Sequence, residues 1–245
     1  LTKDKAFARN TVGKYLRAFR EFLNDAAHNG KGIVVPAVVL RRGAVPIPEE
    51  ETTQIYLSDK ELDLLYGLDL SSQPRLDKAR DLFMVGAWTG LRFGDLSKVR
   101  PEHVEGDRIR VPTAKTGKEV HIPLHPMVRA VMNKYGGRVP SGISNQKQNG
   151  YIKEVAAKVP ELQVKVMAGR TQAGVHREAA RCKWELITTH TARRSFATNL
   201  YKQGIPARTI MTITGHATER AFMRYILLSA DEHMHLIAHS RFFTG

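Results

Sequence analysis

The chain has 245 residues, enough for one large domain or two modest ones, and its 42% hydrophobic content predicts a sizeable buried core. Lys and Arg total 38 against 24 Asp and Glu, a formal net charge of +14 that predicts a polyanionic partner. Nucleic acid is favoured over an acidic membrane surface, because no apolar run approaches the ~20 residues of a membrane span. Cys182 is the only cysteine, which excludes an internal disulfide and a thiolate metal cluster and suits a reducing cytoplasm.

The first predicted element is an amphipathic helix over 11–28, which ends at Asn29-Gly30. One such helix cannot bury its own apolar stripe, so we expect partner helices upstream and interpret the chain, which starts at Leu1, as a fragment of a longer protein. Packing onto the next domain is the alternative. Three prolines, the Arg41-Arg42 pair and an acidic triplet then predict an extended linker.

A second domain is predicted to begin at a capping box formed by Ser58 and Glu61. A helix over 75–88 ends at Thr89-Gly90 and leads into a Gly-Leu-Arg-Phe-Gly-Asp segment that contains Arg92 and Asp95. Residues 107–124 alternate as two strands around a polar turn, near which lie Lys115 and Lys118. Helices are predicted from Pro126 to Gly136 and over 145–159.

Residues 161–187 predict two short strands around a polar, basic loop over 168–181. Arg170 and Arg177 would suit a DNA-facing loop, and an exposed, flexible tip is the alternative.

Residues 188–226 carry the densest set of chemically useful side chains. A helix capped by Thr188 or Thr189 and running to Tyr201 places His190 and Arg193 on one face, one turn apart. Gly215-His216 falls in a turn, and a helix over 218–228 carries Tyr225, ahead of a short amphipathic tail. Taken singly, each residue has an ordinary structural explanation.

Together, the order His-x-x-Arg, Gly-His and Tyr closely resembles the catalytic end of the tyrosine recombinases, the phage integrase family. The Gly-Leu-Arg segment, whose Arg92 lies 98 residues before His190, resembles the first arginine motif of that family. The Lys-Thr-Gly segment followed by Ile-Pro-Leu resembles its lysine-bearing hairpin. The wording of the motifs looks most like integrases of bacterial mobile elements, including conjugative transposons.

The resemblance implies a mainly α fold with a small antiparallel β-sheet. It implies a tyrosine-recombinase catalytic domain over 55–245, preceded by a linker over 31–54. Residues 1–30 would be the last helix of a truncated helical core-binding domain that clamps DNA.

The resemblance also implies a role for each matching residue. Tyr225 would be the nucleophile and Lys115 the general acid, with Lys118 a less favoured substitute. Asp95 would help to hold the site together. The remaining matches are Arg92 and Arg193 as the phosphate clamp, His190 in proton transfer around the tyrosine, and His216 as a hydrogen-bond donor to a phosphate oxygen. Arginine suits a phosphate because its planar guanidinium binds two oxygens in a fixed fork and stays charged. Arg194 is interpreted as structural.

These features predict a site-specific recombinase that cuts and rejoins double-stranded DNA through a 3′-phosphotyrosyl intermediate, in a bacterial cytoplasm. No cofactor is implied, and no metal, because the histidines form no HExxH pattern and no Cys-His set. A homotetramer assembled on DNA is expected, with the tail docked either on a neighbouring protomer or on its own domain. A type IB topoisomerase and a catalytically inactive DNA-binding protein are the alternatives. The candidate DNA-binding residues are Arg41, Arg42, Lys118, Arg170 and Arg177.

Overall fold

The computed structural model describes residues 7–29, 34–41, 43–112, 117 and 119–244. The chain divides into two compact units, the first formed by 1–53 and 165–181 and the second by 54–164 and 182–245. Most of the described secondary structure is helical, as expected from the sequence. No helix in these ranges is both long enough and apolar enough to cross a membrane.

The helices are α1 (Arg9–His28), α2 (Ala37–Leu40), α3 (Asp59–Tyr66), α4 (Pro74–Thr89), α5 (Phe93–Leu96), α6 (Pro126–Lys134), α7 (Asn145–Ala156), α8 (Thr189–Lys202), α9 (Ala207–Thr214), α10 (Glu219–Met223), α11 (Ala230–Ala238) and α12 (Arg241–Thr244). The strands are β1 (Val104–Glu105), β2 (Arg108–Pro112), β3 (Glu119–Pro123), β4 (Lys165–Gln172) and β5 (Val175–Cys182).

In the first unit, the β4–β5 hairpin is held against the linker by Glu50. The Glu50 carboxylate accepts hydrogen bonds from the backbone N–H of Thr171 at 2.9 Å and from the Thr171 hydroxyl. The Asn10 side chain pairs with both backbone groups of Glu50, at 2.8 and 2.9 Å. These bonds join α1, the linker and the hairpin within one unit.

The predicted basic loop over 168–181 is wrong in extent, because most of it belongs to β4 and β5. The strands are joined by a two-residue turn at Ala173 and Gly174, whose φ angles are 51° and 80°. Positive φ at both central residues is the geometry that matches the twist of a hairpin, although Asn-Gly is its usual sequence. Arg170 and Arg177 therefore lie on strands and are exposed.

The second unit is built around α4, which is buried along most of its 16 residues. Its second half, over 82–88, is apolar on every side, as expected for a helix in the middle of a core. One set of its residues packs with α3 and α7, and another packs with the three-stranded sheet. Gly86 allows a close approach to α8, since a Cβ there would lie 3.3 Å from the Cβ of Ala192.

The local sequence signals in this unit are confirmed. Ser58 and Glu61 form the expected capping box at the start of α3. In the antiparallel sheet β1-β2-β3, Ile109 pairs with Ile122, and Val111 pairs with Val120. All four of these side chains are buried.

Gly90 ends α4 in the left-handed conformation, with φ of 66°. A Cβ at this position would lie 2.5 Å from Cδ1 of Phe196 on α8. The turn that leads to Arg92 therefore depends on glycine for its backbone geometry and for space.

We expect Gly90→Ala to lower the free energy of unfolding by about 2–4 kcal/mol, through left-handed strain and overpacking against Phe196. Urea denaturation followed by circular dichroism measures this change. The matched control is Gly150→Ala in the middle of α7, where a Cβ would meet no atom within 4 Å. It should gain up to about 1 kcal/mol in helix propensity. Equal stability of the two variants would contradict this account of Gly90.

Candidate active site

Three parts of the second unit bring the chemically useful side chains together. The turn after α4 supplies Arg92, α8 supplies Arg193, and the segment from the end of α9 to residue 225 supplies His216 and Tyr225. Thr188 caps α8, and its capping partner is Thr191. The helix thus begins where the sequence predicts, and this start determines which residues of α8 face the site.

Arg193 is the most buried of these residues, with 1% of its surface exposed. Its Nη1 donates to the carbonyl oxygen of Gly90 and its Nη2 to that of Thr214, each at 2.5 Å. These carbonyls belong to the C-terminal ends of α4 and α9, where helix dipoles favour positive charge. Burial and the charge of Arg92 lower the pKa of Arg193 to about 10, so the guanidinium is still charged at neutral pH.

The hydrogen bonds around His216 indicate its tautomer. The Thr214 hydroxyl donates to the carbonyl oxygen of Ile210 at 2.9 Å, so its single proton is used there. The 2.8 Å contact between that hydroxyl and Nδ1 of His216 then requires Nδ1 to carry a proton. In the neutral ring Nε2 is then unprotonated, and Nη2 of Arg193 lies 3.2 Å from Nε2 and 3.4 Å from Nδ1, against the ring. His216 therefore helps to hold Arg193.

Tyr225 lies next to both residues. Its ring centroid is 4.7 Å from that of His216 and 5.5 Å from the guanidinium carbon of Arg193. The predicted helix over 218–228 is wrong in its second half, because α10 ends at Met223 and Tyr225 follows it. The Thr198 hydroxyl donates to the Tyr225 carbonyl at 2.8 Å and accepts from the Leu227 N–H at 3.3 Å. This tertiary contact uses backbone groups that a longer helix would need.

Several N–H groups of the arginines in this region have no hydrogen-bond acceptor among the described residues. Within the described ranges, Nη1 of Arg92, Nε of Arg193 and Nε of Arg194 are buried without an acceptor. Asp95 is 3% exposed, and its charge favours the charged form of Arg193. This arrangement provides donors and positive charge for an anion.

His190 lies on the same face of α8, with its side chain exposed. Partial desolvation lowers the pKa of its imidazole, and the charges of Arg194, Arg193 and Arg92 lower it further. A neutral imidazole at physiological pH can accept a proton.

Comparison of the whole sequence with models of known families identifies the family of this chain. The model of the phage integrase family matches residues 53–232, well over half of the chain. The chain belongs to the phage integrase family.

Curated relatives carry recombinase names. The chain is 26% identical over 215 residues to the tyrosine recombinase XerD of Lacticaseibacillus casei, covering 82% of this chain and 69% of XerD. It is 25% identical over 152 residues to the probable integrase/recombinase YoeC of Bacillus subtilis (strain 168), covering 61% of this chain and 77% of YoeC.

A solved structure of the family has the same fold. A lambda integrase dimer bound to a COC′ core site superposes with a TM-score of 0.59 at 18% identity. The likeness covers 87% of this chain and 59% of the integrase chain. The mainly α fold with small antiparallel sheets is thereby confirmed.

Four of the six residues expected to be catalytic in this integrase-family chain come together in the structure: Arg92, Arg193, His216 and Tyr225, with His190 on the same helix face as Arg193. Lys115 lies outside the described residues, as do Lys118 and Arg42. Arg41 is exposed in the first unit. Across the described ranges, no three His, Cys, Asp or Glu side chains are grouped closely enough to hold a metal ion.

Sequence reasoning missed the position of Arg194, whose guanidinium carbon lies 6.0 Å from the centroid of the Tyr225 ring. The available signal was its spacing of four residues from His190, which places the two side chains on one face of α8.

We expect the His190 imidazole to titrate below the ordinary value of about 6.5, and Arg194→Gln to raise that midpoint by removing a nearby positive charge. The pH dependence of the imidazole NMR signals measures both midpoints. Arg138→Gln removes an equal charge from an exposed site and serves as the control. A midpoint that is unchanged in Arg194→Gln would contradict the electrostatic assignment.

Proposed function

We propose that this chain is the catalytic portion of a site-specific recombinase that cuts and rejoins double-stranded DNA through Tyr225. The observation that carries the proposal is the position of the Tyr225 ring beside Arg193, Arg194 and His216. A phosphodiester resists nucleophiles because it is anionic, and attack builds further charge on its non-bridging oxygens. Preorganised guanidinium groups offset that charge at the atom where the tyrosine would attack.

In the proposed reaction, the phenolic oxygen of Tyr225 forms a bond to phosphorus as the bond to the 5′ oxygen breaks. The proton of the phenol passes to a base, for which the neutral His190 is suited. Lys115 would protonate the leaving 5′ oxygen. A 5′-hydroxyl of another strand then attacks the phosphotyrosine, so the number of phosphodiester bonds is conserved and no ATP is needed.

Arg92 and Arg193 would bind the scissile phosphate. Since both Nη groups of Arg193 are held by carbonyl oxygens, its unpartnered Nε is the donor left for this purpose. His216, whose ring contacts Nη2 of Arg193, would act by fixing that guanidinium, and its Nε2 would donate to phosphate only when the ring carries a second proton.

We propose duplex DNA as the partner, with Arg41, Arg42, Lys118, Arg170 and Arg177 as candidate phosphate contacts. The net charge of +14 supports this choice. The relatives are bacterial, and we infer action on DNA in a bacterial cytoplasm.

The tail favours assembly of several copies. Burial raises the pKa of Glu232, but hydrogen bonds from Tyr56, the Ser229 backbone and Lys202 outweigh it and lower the pKa to about 2. These bonds fix the start of α11, while four large apolar side chains remain exposed: Met234, Ile237, Phe242 and Phe243. A related lambda integrase has been solved as a tetramer bound to a Holliday junction, with a TM-score of 0.53 at 20% identity, over 82% of this chain and 58% of that one. We propose that the tail docks on a neighbouring protomer in a tetramer on DNA.

Tyr225→Phe should abolish covalent capture of a nicked suicide substrate while leaving DNA affinity nearly unchanged, because it removes one hydroxyl and no charge. Denaturing gels detect the covalent adduct, with DNA fragments flanking the encoding locus as substrates. Tyr201→Phe removes a hydroxyl from a half-buried tyrosine on α8 and should still form the adduct. Capture by the Tyr225 variant would place the nucleophile elsewhere.

The same preparation distinguishes the alternatives. Relaxation of a supercoiled plasmid without site preference would indicate a topoisomerase. DNA binding without any adduct from the wild type would indicate an inactive DNA-binding protein.

DNA affinity should fall steeply with salt, with a log–log slope near −0.9 for each phosphate that a basic side chain neutralises. Fluorescence anisotropy on a labelled duplex measures the slope. A variant with Arg170 and Arg177 both changed to Gln should show a shallower slope if both contact phosphate. An unchanged slope would remove these two residues from the interface.

A further inference from the structure

Arg194 is a half-buried cation for which the described residues provide no hydrogen-bond acceptor. It lies on α8 directly after Arg193, and its guanidinium carbon is 6.0 Å from the centroid of the Tyr225 ring. Its Nε is buried without an acceptor, and in the part of the chain that the structure describes no carboxylate pairs with it. Among the described residues, its guanidinium lies near the Tyr225 ring and within electrostatic reach of His190.

Another arginine of the same unit shows how a buried guanidinium is normally satisfied. Arg80 is 8% exposed and donates to the carboxylates of Asp77 and Asp81 at 2.6 and 2.9 Å. It also donates to the carbonyl oxygens of Tyr66 and Leu68 at 2.9 and 2.7 Å. Every edge of Arg80 is used for structure, whereas the buried Nε of Arg194 has no acceptor among the residues that the structure describes. A desolvated charge without a partner is costly, and it persists where a ligand supplies the partner.

The charges around Arg194 identify the ligand as an anion. Burial lowers the pKa of Arg194. Arg194 is also the first of the charges that lower the pKa of His190, ahead of Arg193 and Arg92. All three guanidinium groups thus act on the same imidazole, and two of them, Arg193 and Arg194, lie near the Tyr225 ring. An anion bound beside that ring would reduce the repulsion between the positive charges.

Arg194 can offer a pair of N–H donors, which Arg193 cannot. Both Nη groups of Arg193 are held by the carbonyl oxygens of Gly90 and Thr214, and Nη2 also faces His216. Its guanidinium therefore cannot turn to offer a complete fork. Arg194, which has no such bonds, can present two parallel N–H groups to a pair of oxygens.

We propose that Arg194 is a third phosphate-binding arginine, which donates hydrogen bonds to a non-bridging oxygen of the scissile phosphate while Tyr225 attacks. It transfers no proton. The identity of this phosphate rests on the proposed function, whereas the capacity of Arg194 to bind an anion does not.

Inorganic phosphate tests anion binding without any cleavage. The Nε–H NMR signal of Arg194, assigned by its loss in Arg194→Lys, should shift saturably as phosphate is added to the wild-type chain. An Arg194 signal that stays unchanged through the titration would overturn the proposal. This result is independent of whether the chain cleaves DNA.

A methylphosphonate substrate then tests the role in cleavage, because it removes one non-bridging charge from the scissile position. Arg194→Gln should slow single-turnover cleavage of the normal substrate about tenfold to hundredfold, as expected for loss of a charged hydrogen bond. It should match the wild type on the methylphosphonate, and Arg194→Lys should retain part of the normal rate. Arg138→Gln, which removes an exposed charge, should leave both rates unchanged.

Equal slowing of Arg194→Gln on both substrates would assign Arg194 to a purely structural role and overturn the proposal. An unchanged rate on the normal substrate would overturn it as well. If the wild type cleaves no DNA at all, the proposed function fails, and the phosphate titration still decides whether Arg194 binds anions.

Discussion

The bonding of the Arg193 guanidinium is the interaction on which the site depends. One positive group, almost without exposure, joins the carbonyl oxygen that ends α4 to the one that ends α9. A charge in that position is tolerated because each carbonyl is the negative end of a helix and because the His216 ring lies against Nη2 of Arg193. The position of Arg193 also bears on that of Tyr225, because the Tyr225 ring packs against both Arg193 and His216.

The site is positively charged before any ligand binds. Arg92, Arg193 and Arg194 are held close together with buried N–H groups that lack acceptors among the described residues. The repulsion is offset by packing, because α8 packs against both α4 and α9. A phosphate would meet donors that are already oriented, so little reorganisation would be needed during reaction. The same logic predicts that anions which bind there stabilise the folded chain.

Much of this could be predicted from the sequence wherever the determining signal was local. The capping box of Ser58 and the glycine that ends α4 are properties of a few adjacent residues, and both are confirmed. The β2–β3 pairing followed from simple alternation. The end of α10 could not be predicted, because it depends on the Thr198 hydroxyl, which is distant in sequence. Two strands were predicted over 161–187, but their length was underestimated because Ala-Gly is a weak turn signal.

In the candidate site, too, local signals could be predicted and tertiary contacts could not. The family motifs identified the residues of the site, but not the hydrogen bonds that these residues make. Three features follow from tertiary contacts: the bonds from Arg193 to backbone carbonyls, the protonated Nδ1 of His216, and the Nε of Arg194 without an acceptor among the described residues. The spacing from His190 indicates the helix face on which Arg194 lies, but a single sequence does not show that one of its donors is unused.

The hydrogen bond from Thr198 to Tyr225 determines which arginines would act with this tyrosine when several copies of the chain assemble. It ties the backbone of the tyrosine to α8, the helix that carries Arg193 and Arg194 of the same chain. Each copy of the chain thus carries its tyrosine together with the two arginines of α8. In an assembly of several copies, Tyr225 would therefore attack a phosphate bound by the arginines of its own chain.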